Sequence, residues 1–377
     1  MTMDSSKDGM RGLRVALVVN NPLRMGGAER QCLLLAGALA RRGAHPLLLS
    51  LAGSGPVLEQ AVRRGIEIGA VALRYPLSPW YAPFNLLRAG WFFRRRRPDV
   101  ILGYTSVPNW IAGWVWRWTG ARAFIWSQRN AGLDRPPAFL ERVAQRSASA
   151  FIANSASGME FLRTVRDGRN DRAFEIANGV EIPPVPAAPG RSARVVCVAN
   201  GRPVKDHKTL LRAWSQVQRE WNSSESRPHL VLAGCFDEDP AYTAEVRALA
   251  NAEEMGGTVE FAGTADDVQI MLRDAGMGVL NSQSEGMPNA VLEYMAAGLP
   301  VVATDLPGVR QALGGDSAPG LVPVGDADAL AGRLLELLRA PALREAQGRR
   351  NRERAEKEFS AGAMANQTWT VIREALQ

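Results

Sequence analysis

Four prolines in nine residues, IPPVPAAPG at 182–190, divide this chain of 377 residues into two stretches with the same internal pattern. Proline fixes φ and removes a backbone donor, so such a run is a linker rather than a helix or strand interior. Before it, LRVALVVN (13–20) reads as a buried strand. The loop NPLRMGG follows, then the helical segment ERQCLLLAGALARRG, which stops at Gly43, and a second strand, PLLLSLAG. Apolar runs at 99–103, 122–127 and 149–153 continue the alternation. After the prolines it restarts, with RVVCVAN as strand, TLLRAWSQVQRE as helix and HLVLAG as strand. VEFAG, GMGVLNS and LPVVATD are further short strands, and the end is helical from about Asp326. Continuous apolar runs alternating with helices mark parallel strands covered on both faces.

The expected fold is therefore α/β, with two Rossmann-like, doubly wound parallel-sheet domains. Residues 1–185 form the first domain and 186–360 the second. Residues 361–377 form a C-terminal helix that packs back on the first. Such domains bind ligands at the carboxyl ends of their strands, which predicts a cleft faced by both.

Charge separates the halves further. Residues 1–190 hold 25 basic and 13 acidic side chains, and the remainder 20 and 25. A basic first half suits an anionic membrane surface, an anionic acceptor or nucleic acid. Cys32, Cys197 and Cys235 are odd in number, far apart and without CxxC spacing, so neither disulfides nor a structural zinc site is expected. The polar start, Met1 to Met10, and the lack of a spanning apolar stretch point to the cytoplasm.

Three segments carry chemistry. Gly26-Gly27, between a strand and a helix, lets backbone approach a ligand phosphate, although a tight turn is the favoured reading of that feature alone. In NGRPVK (200–205), Arg202 and Lys205 follow a strand, with Gly201 in the same loop. There they neutralise a pyrophosphate leaving group, or are a solvated surface pair. The third is SEGMPNAVLE (284–293). Pro288 suits a helix start, Glu285 precedes the helix, and Glu293 lies about 7–8 Å along it at about 1.5 Å per residue. Two carboxylates bracketing a helix N-terminus match the hydroxyl–phosphate–hydroxyl layout of a nucleotide-sugar.

The E-x7-E spacing in SEGMPNAVLEYMAAGLPVVAT resembles the retaining glycosyltransferases of family 4, which have the GT-B fold. GGAER (26–30), ANSAS (153–157), NGVEI (178–182) and VANGRPVKDHKTLLRA agree with that family in order, over about residues 13–340. The resemblance implies that Glu285 contacts donor-sugar hydroxyls and Glu293 the ribose. It gives Arg202 and Lys205 the diphosphate. Ser284, Gly286, Met287, Pro288 and Asn289 line sugar and phosphate, and Gly26 and Gly27 close on the diphosphate from the first domain. The reaction it implies needs no cofactor and no metal. Its partners are a nucleotide-sugar donor, a UDP-sugar in the family pattern, and a glycan or lipid-linked acceptor; no nucleic acid is involved. Two positions depart from the pattern. Asn200 stands where many relatives carry the phosphate arginine, and Arg129-Asn130 stand where an N-domain histidine is usual. Arg129 and Asn130 are expected to face the donor sugar or the acceptor; the alternative is that Arg129 pairs with a core carboxylate.

Other features have plainer readings. Asp237-Glu238-Asp239 imitates a metal-binding DxD but sits ahead of a helix, where capping is expected, as for Asp326. His45, His207 and His229 are read as structural or surface, with His207 near the phosphate loop. Trp91-Phe-Phe-Arg-Arg-Arg-Arg97 is either the end of a core helix or an interfacial patch that places the protein at the inner face of the cell membrane. Rival functions on this fold are a nucleotide-sugar epimerase, a phosphorylase and a non-catalytic binding protein.

Overall fold

The computed structural model describes residues 10–20, 23, 26–73, 81–129, 139–165, 172–222, 227–252, 255–264, 268–315 and 318–377. The chain divides into two compact units, Met1–Gly179 with Ala361–Gln377, and Val180–Ser360.

Seven parallel strands form the sheet of the first unit: β1 (Arg14–Val19), β2 (His45–Ser50), β3 (Glu67–Ala70), β4 (Val100–Tyr104), β5 (Ala123–Gln128), β6 (Ala150–Ala153) and β7 (Ala173–Glu175). Their order is β3-β2-β1-β4-β5-β6-β7. Side chains alternate across a strand, and β1 shows what this does. Val15, Leu17 and Val19 enter one core with Leu33 and Leu35 of helix Gly27–Ala40. Ala16 and Val18 enter a second core with Phe92, Phe93, Ile111 and Val115 of helices Ala82–Arg96 and Ser106–Thr119. Both faces are buried, so β1 reads as an unbroken apolar run.

Helix Ala361–Leu376 completes the first of these layers. Ala365, Trp369 and Ile372 join the core of β1 and helix Gly27–Ala40. Arg42 fastens the helix start, donating from Nη2 to Gly362 O (2.9 Å) and from Nε to Asn366 Oδ1 (2.9 Å).

Six parallel strands form the second sheet: β8 (Arg194–Val198), β9 (His229–Ala233), β10 (Val259–Gly263), β11 (Met277–Leu280), β12 (Val301–Thr304) and β13 (Leu321–Val322), ordered β10-β9-β8-β11-β12-β13. The order reverses at β8, placing a topological switch point between β8 and β11. The proline-rich segment from 182 to 190 is anchored by helix Pro341–Arg354. Buried Arg344 donates to Pro189 O (2.8 Å), Gly190 O (3.2 Å), Leu337 O (2.7 Å) and Leu338 O (2.7 Å), and Arg352 donates to Pro183 O (2.8 Å). One guanidinium thus serves both the linker and the open carbonyls ending helix Ala327–Leu338. The second unit starts at Val180, six residues before the expected 186, and within it Val180 N donates to Phe359 O (2.7 Å).

Three strands escape the sequence pattern: β3, β7 and β13. Each is an edge strand of two to four residues with at most one buried side chain. An edge strand covered on one side lacks the apolar run that marks a central one.

Candidate functional site

The second sheet builds its site where β8 and β11 part. The two strands pair only at Met277↔Val195 and Gly278↔Val196. Beyond that, Tyr294 fills the gap. Its hydroxyl accepts from Val198 N (2.6 Å) and donates to Val279 O (3.3 Å). The ring lies where a side chain at 278 would stand: a Cβ on Gly278 would be 2.2 Å from Tyr294 Cγ. Burial drives the Tyr294 pKa well above its ordinary value, so the hydroxyl stays protonated and able to donate.

The loops leaving these strands are stitched together. Asn281 Nδ2 donates to Asp206 O (3.1 Å), Gln283 N donates to Val204 O (2.8 Å), and Thr304 Oγ1 donates to Ser282 O (2.7 Å). After β8 the chain turns through the 3-10 segment Pro203–Lys205. Asp206, in left-handed conformation (φ 46°), then caps helix His207–Glu220 by accepting from Thr209 N (3.3 Å). Gly201 is tightly held, because a Cβ there would stand 2.6 Å from Phe236 Cδ1.

This geometry joins Lys205 and Glu285, which are 80 residues apart in sequence. Lys205 Nζ donates to Glu285 Oε1, and Ser282 Oγ donates to the same oxygen (2.7 Å). Their side chains are 24% and 13% exposed, so the ion pair is half-buried at the mouth of the switch point. The loop at Gly286 is fixed from behind, since a Cβ on Gly308 would fall 1.4 Å from Gly286 O.

Helix Asn289–Ala297 follows. Pro288 occupies its N-cap in extended conformation, without a side-chain cap, and Gly298 (φ 81°) ends it. Of its nine residues only Asn289 and Glu293 are not buried, and they lie four apart on one face. Everything else on the helix is packing, so its one open face carries the second glutamate. The helix is gripped at its far end, where Arg352 Nη1 donates to Ala296 O (3.0 Å) and Asn351 Nδ2 to Leu299 O (2.9 Å). In the preceding loop Ser284 is exposed and Met287 buried.

Arg202 is exposed and leans away from Lys205's partner. Its Nε donates to Glu238, which also accepts from Asn200 Nδ2 (3.2 Å). Asn200 Oδ1 in turn accepts from Cys235 N (3.1 Å). The middle residue of the DxD imitation thus serves the loop after β8, while Asp239 caps helix Pro240–Ala250 by accepting from Tyr242 N (3.0 Å). His207 is buried under this loop, edge-on to Phe236 and Tyr242, and burial pushes its pKa down to about 4.

In the first unit, Gly26 is the N-cap of helix Gly27–Ala40, and Glu29 is buried there. Burial raises the Glu29 pKa, opposed by hydrogen bonds from the amides of Glu29 and Gly26. A carboxylate of the chain's own thus sits at this helix start. Arg129 follows β5, its guanidinium 4.4 Å from the centroid of the buried Tyr104 ring and donating from Nη1 to Asn178 Oδ1 (3.1 Å). Asn154 Nδ2 donates to the same amide oxygen (3.3 Å). Among the described residues Arg129 is held by an amide and a ring, not by the core carboxylate offered as the alternative. Asn130 lies outside the described residues. Ser282, Tyr294, Glu238 and Gly308 are the site residues that sequence reasoning missed. Tyr294, next to Glu293 on an apolar helix, was the one with a readable signal.

Two family models match the chain in succession: Glycosyltransferase Family 4 over residues 25–182 and Glycosyl transferases group 1 over residues 181–354. Among curated relatives, the N-acetyl-alpha-D-glucosaminyl L-malate synthase of Bacillus anthracis is 24% identical over 48% of this chain, a stretch covering 46% of that protein. The phosphatidyl-myo-inositol mannosyltransferase of Mycobacterium leprae is 33% identical over 46% of each chain. The chain thus spans about half the length of these two relatives. The lipopolysaccharide core biosynthesis glycosyltransferase LpsE of Rhizobium meliloti is 26% identical over 90% of this chain and 94% of its own. Among solved structures, Anabaena Alr3699/HepE in complex with UDP and glucose superposes with a TM-score of 0.79 over 96% of this chain and 99% of that one, at 16% identity. A glycosyltransferase from Rickettsia africae gives 0.80 over 97% and 99%, at 17% identity. At such identities the shared property is the fold, two parallel-sheet α/β domains of the GT-B kind. With both halves matched in order, this chain belongs to the group 1 glycosyl transferases of glycosyltransferase family 4.

Proposed function

We propose that the protein is a retaining, metal-independent glycosyltransferase that moves a sugar from a UDP-sugar to a glycan or lipid-linked acceptor, at the cytoplasmic face of the cell membrane. The observation that carries this reading is the Lys205–Glu285 pair at the carboxyl ends of β8 and β11, beside the open Asn289–Glu293 face. A cation for diphosphate, a carboxylate for sugar hydroxyls, a helix start and a second carboxylate for ribose follow one another there. The UDP in the Anabaena structure favours uridine as the base. The M. leprae relative is named a phosphatidyl-myo-inositol mannosyltransferase and the R. meliloti one a lipopolysaccharide core biosynthesis glycosyltransferase, which favours such acceptors.

In this reading Lys205, with Arg202 and the amides around Gly286 to Asn289, takes the charge that develops on the leaving diphosphate, and so no metal or cofactor is required. The bond from the anomeric carbon to the diphosphate oxygen breaks. The acceptor hydroxyl forms its bond on the same face, and a donor phosphate oxygen takes its proton. Glu285 holds the sugar while its anomeric carbon becomes electron-poor. Gly26, Gly27, Arg129 and Asn130 are assigned to the donor phosphate, the sugar and the acceptor from the first unit.

The test is transfer from UDP-sugars by Glu285→Ala. Transfer is expected to be lost with the circular-dichroism spectrum unchanged; full activity overturns the assignment.

A further inference from the structure

Arg129 is a half-buried cation that no carboxylate pairs with among the described residues. Its Nη1 donates to a neutral amide, Asn178 Oδ1, and its guanidinium lies against the Tyr104 ring. Asn178 Oδ1 is fixed in turn by Asn154 Nδ2 (3.3 Å). The ionisable groups within reach do not balance the charge. Burial drives the Tyr104 and Cys32 pKa values above their ordinary range, although Arg129 opposes the shift, so both groups stay neutral. The Glu29 carboxylate accepts instead from the amides of Gly26 and Glu29.

Hydrogen bonding around the guanidinium is incomplete as well. Leu102 and Tyr104 of β4, Ile125 of β5 and Ile152 of β6 enter one core. Side chains alternate along a strand, so Ser127 and Asn154 face the same side as Tyr104, at the carboxyl ends of neighbouring strands. Asn154 N donates to Gln128 O (3.3 Å), which carries the strand geometry as far as Asn154. Tyr104, Ser127 and Asn154 are 0%, 0% and 4% exposed. Even so, Tyr104 Oη, Ser127 Oγ, Asn154 Oδ1 and Arg129 Nε have no hydrogen-bond partner among the described residues. Buried polar atoms are normally paired, so four left open around one cation mark a place whose bonding is unfinished.

A guanidinium cannot shed its proton, so the hydration it loses on burial is best replaced by an anion. A sugar hydroxyl would take one hydrogen bond and leave the charge unbalanced. A carboxylate or phosphate matches both the charge and the planar fork. We infer that Arg129 binds a carboxylate or phosphate carried by the donor sugar or by the acceptor, so that the reaction involves an acidic substrate. The inference rests on the proposed sugar transfer and narrows its substrate class. Two sources share this chemistry: a donor whose sugar is a uronic acid, and an acceptor bearing an acidic group. The donor diphosphate is the rival anion, although Lys205 and Arg202 are already assigned to it.

Paired ligands test it on the full chain, with dissociation constants read by calorimetry. UDP-glucuronate against UDP-glucose probes the donor. Methyl glucuronide and glucose 6-phosphate against methyl glucoside, with UDP present, probe the acceptor. The wild type is expected to prefer the acidic member of one pair by roughly 10- to 100-fold, as for one charge-assisted contact. The pair that responds identifies the source. Arg129→Gln should abolish the preference and leave the neutral ligands and UDP bound as before, with an unchanged circular-dichroism spectrum. Arg129→Lys, which keeps the charge without the fork, should retain part of it. Asn178→Asp sets a carboxylate beside Nη1, at the position now held by the amide oxygen 3.1 Å away. It supplies the missing counter-charge from within, so it should cancel the preference with Arg129 still in place. The inference is overturned if the wild type shows no preference in either pair, or if the preference survives in Arg129→Gln or in Asn178→Asp. It is equally overturned if Arg129→Gln weakens UDP and both UDP-sugars alike, which would assign Arg129 to the diphosphate. Binding and transfer fail separately. A wild type that shows the preference but transfers no sugar keeps the Arg129 site and removes the reaction, whereas transfer without the preference removes only the site.

Discussion

Lys205 Nζ and Ser282 Oγ both donate to Glu285 Oε1, so the carboxylate assigned to the sugar is held by the cation assigned to the diphosphate. A bound donor would redirect both partners, giving Lys205 to phosphate and freeing Glu285 Oε1 for a sugar hydroxyl. Replacing Lys205 by alanine removes the charge-assisted bond proposed to the diphosphate, worth about 1.5–3 kcal/mol. UDP affinity measured by calorimetry is expected to fall roughly 10- to 100-fold. Unchanged affinity would remove Lys205 from the phosphate site.

Gly308 lets the loop at Gly286 close against helix Pro307–Leu313. A methyl group there would meet Gly286 O at 1.4 Å, so Gly308→Ala must push the loop that carries Glu285. Overpacking of this kind costs about 1–3 kcal/mol, seen as a lower Tm. Transfer should fall more steeply than the fraction folded, because a displacement of about 1 Å at a reacting group can cost on the order of 100-fold in rate.

Tyr294→Phe removes only the hydroxyl that bridges β8 and β11. The half-buried Val198 N–H then loses its acceptor, a penalty of about 1–3 kcal/mol. Denaturant unfolding should report it as a lower midpoint with an unchanged slope.

His207 makes the second unit sensitive to acid. Its folded pKa, about 4, lies below the ordinary 6.5 because burial disfavours the imidazolium. Between these values the unfolded chain binds a proton that the folded one does not. Stability is therefore complete above pH 6.5 and declines as pH falls towards 4, by about 3 kcal/mol in all. His207→Phe should flatten the stability profile within that window, read from chemical denaturation at several pH values.

The sequence by itself determined the two-domain α/β architecture, because central strands buried on both faces must be continuous apolar runs, as VALVV of β1 and VVCV of β8 are. It also determined the E-x7-E block. A loop glutamate, a proline at the helix start and a glutamate on the helix are local features, and local backbone chemistry is written in neighbouring residues. Tertiary structure decided what depends on residues meeting across long separations. The edge strands β3, β7 and β13 exist because a neighbour supplies their hydrogen bonds, and their own side chains hardly announce them. Lys205 meets Glu285 only because β8 and β11 are adjacent, and Tyr294 parts them only because Gly278 leaves room for its ring. The aromatic-arginine segment at 91–97 shows the same division. Its composition gave an amphipathic stretch, but packing decided that Phe92 and Phe93 turn inward while Trp91 joins Phe84 and Leu87 outside, since which face of a helix is buried is set by the sheet it covers.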